Sequence, residues 1–477
     1  LGAIPPRIVL CYRTKLESRY QVSSRFDAII VGTGRATPPL AEKLSAAGWK
    51  VAVIERKLFG GTRINVGYTP IRSLLASAQV AHYNRRAEDF GIVPSIAVMV
   101  DMASVMRRMR SIVNVGRADV EKRLRAIYGC RVYRGHAQFI SPSEIRVGDS
   151  VLHASHIFLN VGARPSLGNF ADSAVPCLTS STILDLDQLP HKLTIIGGGG
   201  IGVEFAQIYR RFGADVTVIE KASRLVPHED RDASLEIQRI LEAEGIDVRL
   251  DTEAIRVRAK GREVVVDSKD AQSVVGVSHV LLAIGRKPNT DDLAADKAGI
   301  HLTEHGYIPV DAHFRSDVSG IWALGECNGQ GAFDDTSFND CDIMAADLLN
   351  GKERSITRPG PAHTLFTDPP LAQIGMTEDQ IRTLGLPALI GFSHMTRVEN
   401  AVQKSEAHGF IKILVDADSK QILGATILGT NADEAIHCVR SAMELGVPAQ
   451  VLERSAHTHP TIAELIPTIL GELRPLI

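Results

Sequence analysis

Two sets of glycines and acids carry the first chemical signal. In "FDAIIVGTGRATPPLAEKLSAAGWKVAVIE", Gly32 and Gly34 open a turn after an apolar run, and Glu55 closes the next run. In "KLTIIGGGGIGVEFAQIYRRFGADVTVIE", Gly197, Gly199 and Gly202 repeat the turn, and Glu220 stands at the same offset from its first glycine. Glycines so spaced let backbone amides approach a pyrophosphate at a helix N-terminus, while the acid can accept from a ribose hydroxyl. A single such turn is weak evidence, but two with matched acids ask for two dinucleotides. The chemical reason for holding two is to pass electrons between them, and flavin plus nicotinamide is the natural pair. The plainer alternative is two strand-turn-helix units that bind nothing. Thr37 occupies the third glycine position of the first set, and its side chain is expected to crowd the contact between helix and strand.

These residues need βαβ units to hold them, and the chain is long enough for several. At 477 residues it exceeds one hydrophobic core and implies roughly two to four domains. Its 44% hydrophobic and 23% charged residues fit an ordinary α/β protein rather than a disordered one. A formal net charge of −2 argues against nucleic acid as a partner, since its binders carry a basic excess. No apolar run approaches the ~18 residues of a membrane span. The six cysteines, Cys11, Cys130, Cys177, Cys327, Cys341 and Cys438, include no CxxC pair. No metal site is indicated, and a reducing cytoplasmic location is expected. Residues 1–25 are basic and read as an N-terminal arm. The stretch "MRRMRSIVNVGRADVEKRLRAIYG" reads as a long helix with its arginines on a solvated face. Near the C-terminus, "GFIKILVDA" and "QILGATILG" read as strands and "NADEAIHCVRSAMELG" as a helix, an antiparallel sheet backed by helices.

Further motifs follow in a fixed order: "GGTRINVGYTP" from Gly60, "NVGARP" from Asn160, "AIGRKPN" from Ala283, "GIWALGECNG" from Gly320, "FTDPPLAQIG" from Phe366 and "HTHPTIAELIP" from His457. With the two glycine turns, they resemble the FAD and NAD(P)-linked pyridine nucleotide-disulfide oxidoreductases, in particular the mercuric reductase-like and dihydrolipoamide dehydrogenase-like branches. The resemblance covers nearly everything after Phe26. It implies an α/β fold with two Rossmann-like dinucleotide-binding domains and a C-terminal α+β dimerisation domain. FAD would be held by 26–164 and 282–349, NAD(P) by the inserted 165–281, and 350–477 would form a homodimer interface with a shared active site. Beside Gly32, Gly34 and Glu55, the resemblance marks Arg56, Gly61, Thr62 and Gly162 for the flavin. It marks Arg286, Gly325 and Glu326 as well, Glu326 standing for an aspartate that accepts from the ribityl chain. NADH is expected over NADPH, because Glu220 would repel a 2′-phosphate, although Lys221 and Arg224 could turn toward one.

The family pattern also places two cysteines, five residues apart, where this chain has Arg63 and Tyr68. A thiolate pair attacks disulfides and takes electrons from reduced flavin. A guanidinium with pKa above ~12 and a phenol near ~10 do neither. The resemblance further implies that Arg72 stands for a lysine paired with Glu204 beside the flavin, the ion pair surviving in kind. It implies that His459, oriented by Glu464, serves the partner subunit's site as a proton carrier, a task suited to an imidazole with a pKa near ~6.5. The expected function is an NAD(P)H oxidoreductase passing electrons from flavin directly to a small acceptor, quinone-like or oxygen. The alternatives are a nicotinamide nucleotide transhydrogenase and a catalytically retired homologue acting through its surface. Arg63 and Tyr68 either shape a pocket for a planar, partly anionic acceptor or plug the cavity.

Overall fold

The computed structural model describes residues 22–93, 98–170, 177–258, 263–268, 272–331, 334–351 and 362–476. Residues 1–21 of the expected arm, with Cys11, lie outside the described residues. Five parallel strands form the first sheet, in the order Ile321–Ala323, His156–Leu159, Ala28–Val31, Val51–Glu55 and Cys130–Arg134. Ala28–Val31 and Val51–Glu55 are buried at every position, which is why these strands read as unbroken apolar runs rather than alternating ones.

A second parallel sheet runs Leu178–Thr179, His279–Leu282, Lys192–Ile196, Asp215–Ile219 and Asp247–Arg249. All of its strands fall between His156–Leu159 and Ile321–Ala323 of the first sheet, so the chain builds the second sheet before it completes the first. The long helix spans Met102–Ala126, its first turn capped by the Asp101 carboxylate, which accepts from the Ser104 N–H at 3.1 Å. Met102, Met106, Met109, Val113 and Leu124 point inward at helical spacing. Arg107, Arg108, Arg123 and Arg125 face solvent, as the charge pattern predicts.

The C-terminal part is a six-stranded antiparallel sheet that includes His363–Leu365, Leu371–Gly375, Phe410–Asp416 and Ile422–Leu428, with the helix Ala432–Glu444 packed on it. The two strands and the helix fall where the sequence places them. Among the described residues, no helix is long and apolar enough to cross a membrane.

Candidate active site

The glycine turns take the conformations their composition requires. Gly32 (φ +93°) and Gly197 (φ +106°) occupy left-handed backbone, and a Cβ would lie 2.3 Å from the Asn160 carbonyl oxygen at the first and 2.4 Å from that of Ala283 at the second. Each contact is to the chain just beyond the neighbouring parallel strand, so the two loops are built alike. Gly202 approaches the Gly197 carbonyl so closely that a Cβ would sit 2.0 Å from it.

At the matching position of the first loop, Thr37 does not crowd the contact as expected. Its hydroxyl donates to the Gly32 carbonyl at 3.0 Å and reaches Asn160 Oδ1 at 3.2 Å. The helix there begins only at Thr37, whereas the second begins at Gly200, two residues ahead of Gly202. A hydrogen bond thus replaces a glycine contact, and the side chain is completely buried.

The two acids also act alike. Glu55 accepts from the Thr33 N–H at 3.1 Å and hydroxyl at 2.6 Å and from the Lys57 N–H at 2.8 Å; Glu220 accepts from the N–H of Gly198 at 2.6 Å and of Ala222 at 2.7 Å. Each pins its own glycine loop. A carboxylate has roughly four acceptor sites, so capacity remains for a ribose hydroxyl.

A cavity of about 1360 Å³ runs between the loops, lined by Gly32, Gly34, Glu55, Gly199 and Glu204 among others. That exceeds the ~300–1,000 Å³ of a typical single-ligand pocket and gives room for two nucleotide cofactors. A Cβ on Gly199 would meet nothing within 4 Å, and one on Gly162 only Thr62 Oγ1 at 3.8 Å, so backbone is open to a ligand there. These features fit FAD on the first loop and a nicotinamide nucleotide on the second.

Gly61 (φ +61°) brings its turn against the first loop, a Cβ there falling 2.9 Å from Gly34 Cα. Arg286 donates to Glu326, to the Ala163 carbonyl at 2.6 Å and to Thr62 Oγ1 at 3.3 Å. The Glu326 carboxylate is therefore shared with an arginine of the cavity wall. Arg56 lines the cavity and pairs with Asp292 at 2.7 Å. The Gly325 N–H donates to the buried Asp340 at 2.9 Å, a support the sequence reading missed.

Arg63, on the short helix Gly61–Asn65, and Tyr68, which opens the helix Tyr68–Arg85, both stand in the cavity wall. The Tyr68 ring meets Phe366 edge to face, centroids 5.5 Å apart. The expected pair between Arg72 and Glu204 is not formed. Arg72 lies 4.4 Å over the Phe366 ring and reaches Asp433 at 3.5 Å, with 56% of its side chain exposed. Its planar guanidinium stacks on an aromatic face where an ammonium would seek a carboxylate. Glu204 instead accepts from the Phe366 N–H at 2.7 Å, and burial pushes its carboxyl up to about 7.

His459 Nδ1 lies 2.8 Å from Glu464, as the dyad requires, while the imidazole faces outward with 67% of its side chain exposed. Neither residue is among those lining the cavity of its own chain. A second histidine-acid pair, also missed, does line it: His363 Nε2 lies 2.7 Å from Glu229, both largely buried. They are 134 positions apart, and no local spacing announces them. Among the described residues, no cluster of three or more histidines, cysteines and acids is placed to hold a metal ion.

A family model described as pyridine nucleotide-disulphide oxidoreductase matches residues 26–346, and the dimerisation domain of that family matches 361–469. The chain is 33% identical over 450 residues to the probable pyridine nucleotide-disulfide oxidoreductase RclA of Escherichia coli, covering 92% of this chain and 98% of that protein. It is 29% identical to a mercuric reductase of Streptomyces lividans, covering 94% and 96%. The solved structure of the HOCl-induced flavoprotein disulfide reductase RclA from Escherichia coli superposes with a TM-score of 0.84 at 32% identity, over 93% of this chain and 99% of that one. The chain belongs to the pyridine nucleotide-disulphide oxidoreductase family.

Proposed function

We propose that this chain is an FAD-dependent NAD(P)H oxidoreductase that delivers electrons to a small acceptor, quinone-like or oxygen, with no dithiol in between. The observation that carries the reading is the lining of the cavity. Both glycine loops open onto it, Arg63 and Tyr68 stand in its wall, and none of the described cysteines borders it. Burial also pushes the Cys130 thiol up to about 11 and those of Cys327 and Cys341 to about 12, whereas thiol chemistry runs through the thiolate.

When bound, FAD would take a hydride from the nicotinamide and supply two electrons to the acceptor. In this reading 26–164 with 282–349 hold FAD, 165–281 holds the nicotinamide nucleotide and 350–477 pairs two subunits. The amides of the two glycine loops face the pyrophosphates. Glu55 and Glu220 keep those loops in place and offer their remaining lone pairs to ribose hydroxyls. Glu220 favours NADH by charge, and Arg224 supports this because it is turned to the Pro227 carbonyl at 3.0 Å and to Asp379 at 3.4 Å. Arg63 offers a planar fork to a carboxylate or phenolate oxygen and Tyr68 an aromatic wall. The edge-to-face seat of Tyr68 on Phe366 favours a wall over a plug. His459, oriented by Glu464 and turned outward, would serve the partner subunit's cavity as proton carrier in a homodimer.

The absorption spectrum of the purified protein before and after anaerobic NADH tests the proposal. A flavin spectrum that NADH bleaches and an added quinone restores is the expected result. A colourless protein would mark a retired homologue, and equal turnover between both nicotinamide nucleotides would mark a transhydrogenase.

A further inference from the structure

Lys412, on the strand Phe410–Asp416 of the C-terminal sheet, has no exposed surface. Its ammonium lies 2.8 Å from Asp230, 2.8 Å from Asp232 and 3.3 Å from Glu378. Asp230 precedes the helix Arg231–Ala243, which connects two strands of the second parallel sheet, and Asp232 stands in its first turn; Glu378 opens the helix Glu378–Leu384. We propose that Lys412 is a positioning residue for the nicotinamide nucleotide: through Asp230 it fixes residues 226–230, which form one wall of the cavity, against the second glycine loop. This rests on the proposed binding of that nucleotide at the second loop and adds to it a residue outside the cavity lining.

The segment is tied at both ends and in the middle. At its start, the Val226 N–H donates to the Gly198 carbonyl at 2.8 Å, and the preceding Leu225 packs so closely that a Cβ on Gly198 would lie 2.6 Å from its side chain. At its end, Asp230 meets Lys412 and accepts from the N–H of Glu378 at 3.2 Å and of Asp379 at 3.3 Å. Between them, Glu229 pairs with His363 at 2.7 Å. His363 shares its strand with Leu365, whose side chain would lie 2.8 Å from a Cβ on Gly200. Arg224 adds a tie by donating to the Pro227 carbonyl and to Asp379. Val226, Glu229, His363 and Leu365 all line the cavity with Gly199 and Gly200, so segment and strand close on the second glycine loop from two sides.

The backbone records this constraint. Val226 sits at φ +41°, left-handed backbone in which a β-branched residue is an outlier, and such a conformation persists only where the surroundings over-determine it. The lysine cluster is one of those surroundings. Removing one partner of a buried ion pair leaves the other charge uncompensated. Of the three carboxylates, Asp230 depends most on the lysine, because its side chain is 3% exposed, against 35% for Asp232 and 23% for Glu378. Glu378 also meets Arg382 at 2.7 Å. Without Lys412, the Asp230 carboxylate moves toward water and draws residues 226–229 away from the second glycine loop.

The test uses the purified protein and its Lys412→Met and Glu229→Gln variants. NAD+ is the probe, because it fills the site without reducing a flavin, and titration calorimetry gives its dissociation constant. Both substitutions should raise that constant about tenfold. They change the charge near an anionic nucleotide in opposite directions, so a rise in both reports the position of the segment rather than its field. In anaerobic stopped flow with NADH, Lys412→Met should raise the half-saturating concentration for flavin reduction by the same factor. Its limiting reduction rate, and its reoxidation by benzoquinone, should stay within about twofold of wild type. A constant unchanged by Lys412→Met overturns the inference, as does weaker binding in Lys412→Met with tighter binding in Glu229→Gln. Flavin content, limiting rate and reoxidation falling together with affinity also overturn it, since that is the mark of a merely structural residue. Should Lys412→Met not fold, Glu229→Gln leaves the lysine cluster intact and cuts the tie to His363, and an unchanged constant there overturns the inference. A protein that binds NAD+ but holds no flavin fails the proposed function and leaves the calorimetric comparison standing; a wild type that binds no NAD+ overturns both.

Discussion

Glu204→Gln should stabilise the protein at alkaline pH and leave it nearly unchanged in acid. Burial pushes the Glu204 carboxyl from its ordinary 4.5 up to about 7, so the folded state holds this proton more tightly than the unfolded chain does. The associated stability is fully present below about pH 4.5 and is lost as pH rises through about 7. At about 1.4 kcal/mol for each tenfold in proton affinity, the gap between 4.5 and about 7 amounts to ~3 kcal/mol. Glutamine keeps the shape and can still accept from the Phe366 N–H, but it cannot ionise. The stability of the variant minus that of the wild type should therefore grow by ~3 kcal/mol between about pH 4.5 and about pH 8.5. Urea unfolding followed by the fluorescence of Trp49 and Trp322, with both proteins at one flavin concentration, measures the difference, and titrations common to both cancel. A difference that stays flat, or that falls as pH rises, would refute the reasoning. It would mean that the carboxylate is ionised and compensated by a charge that the geometry does not place beside it.

Three further outcomes follow from the same site. Arg63→Ala should weaken anionic acceptors by about 1.5 to 3 kcal/mol relative to neutral ones, the value of a lost charged hydrogen bond; steady-state kinetics with matched acceptors reads this, and a uniform gain in rate would show a plug. His459→Ala should slow acceptor turnover far more than flavin reduction by NADH, which stopped flow separates. NADH should be favoured over NADPH by roughly tenfold to a hundredfold in kcat/KM, from a repulsion of ~1 to 3 kcal/mol at Glu220, and Glu220→Ala should narrow the gap.

The glycine loops, both acids and the C-terminal strands were legible because each is set by local rules: left-handed turns, apolar runs and alternation. The order of motifs matches the order in which the chain enters and leaves the two parallel sheets. What sequence could not place depends on neighbours distant in the chain. Arg72 was expected on Glu204, yet Phe366 takes both, its ring stacking under the guanidinium and its amide facing the carboxylate. Thr37 was expected to clash, but a hydroxyl at that distance hydrogen-bonds where a methyl would collide. His363 lies on a strand of the C-terminal sheet and Glu229 in the loop before the helix Arg231–Ala243, and only tertiary packing brings them together.

The central claim is that electrons leave the flavin without passing through a thiol pair, and an anaerobic dithionite titration of the purified flavoprotein tests it most directly. With Arg63 and Tyr68 in the wall, reduction should be complete at about two electrons per flavin, with no long-wavelength band from a thiolate beside the flavin. Uptake of about four electrons per flavin, with such a band at the midpoint, would contradict the account.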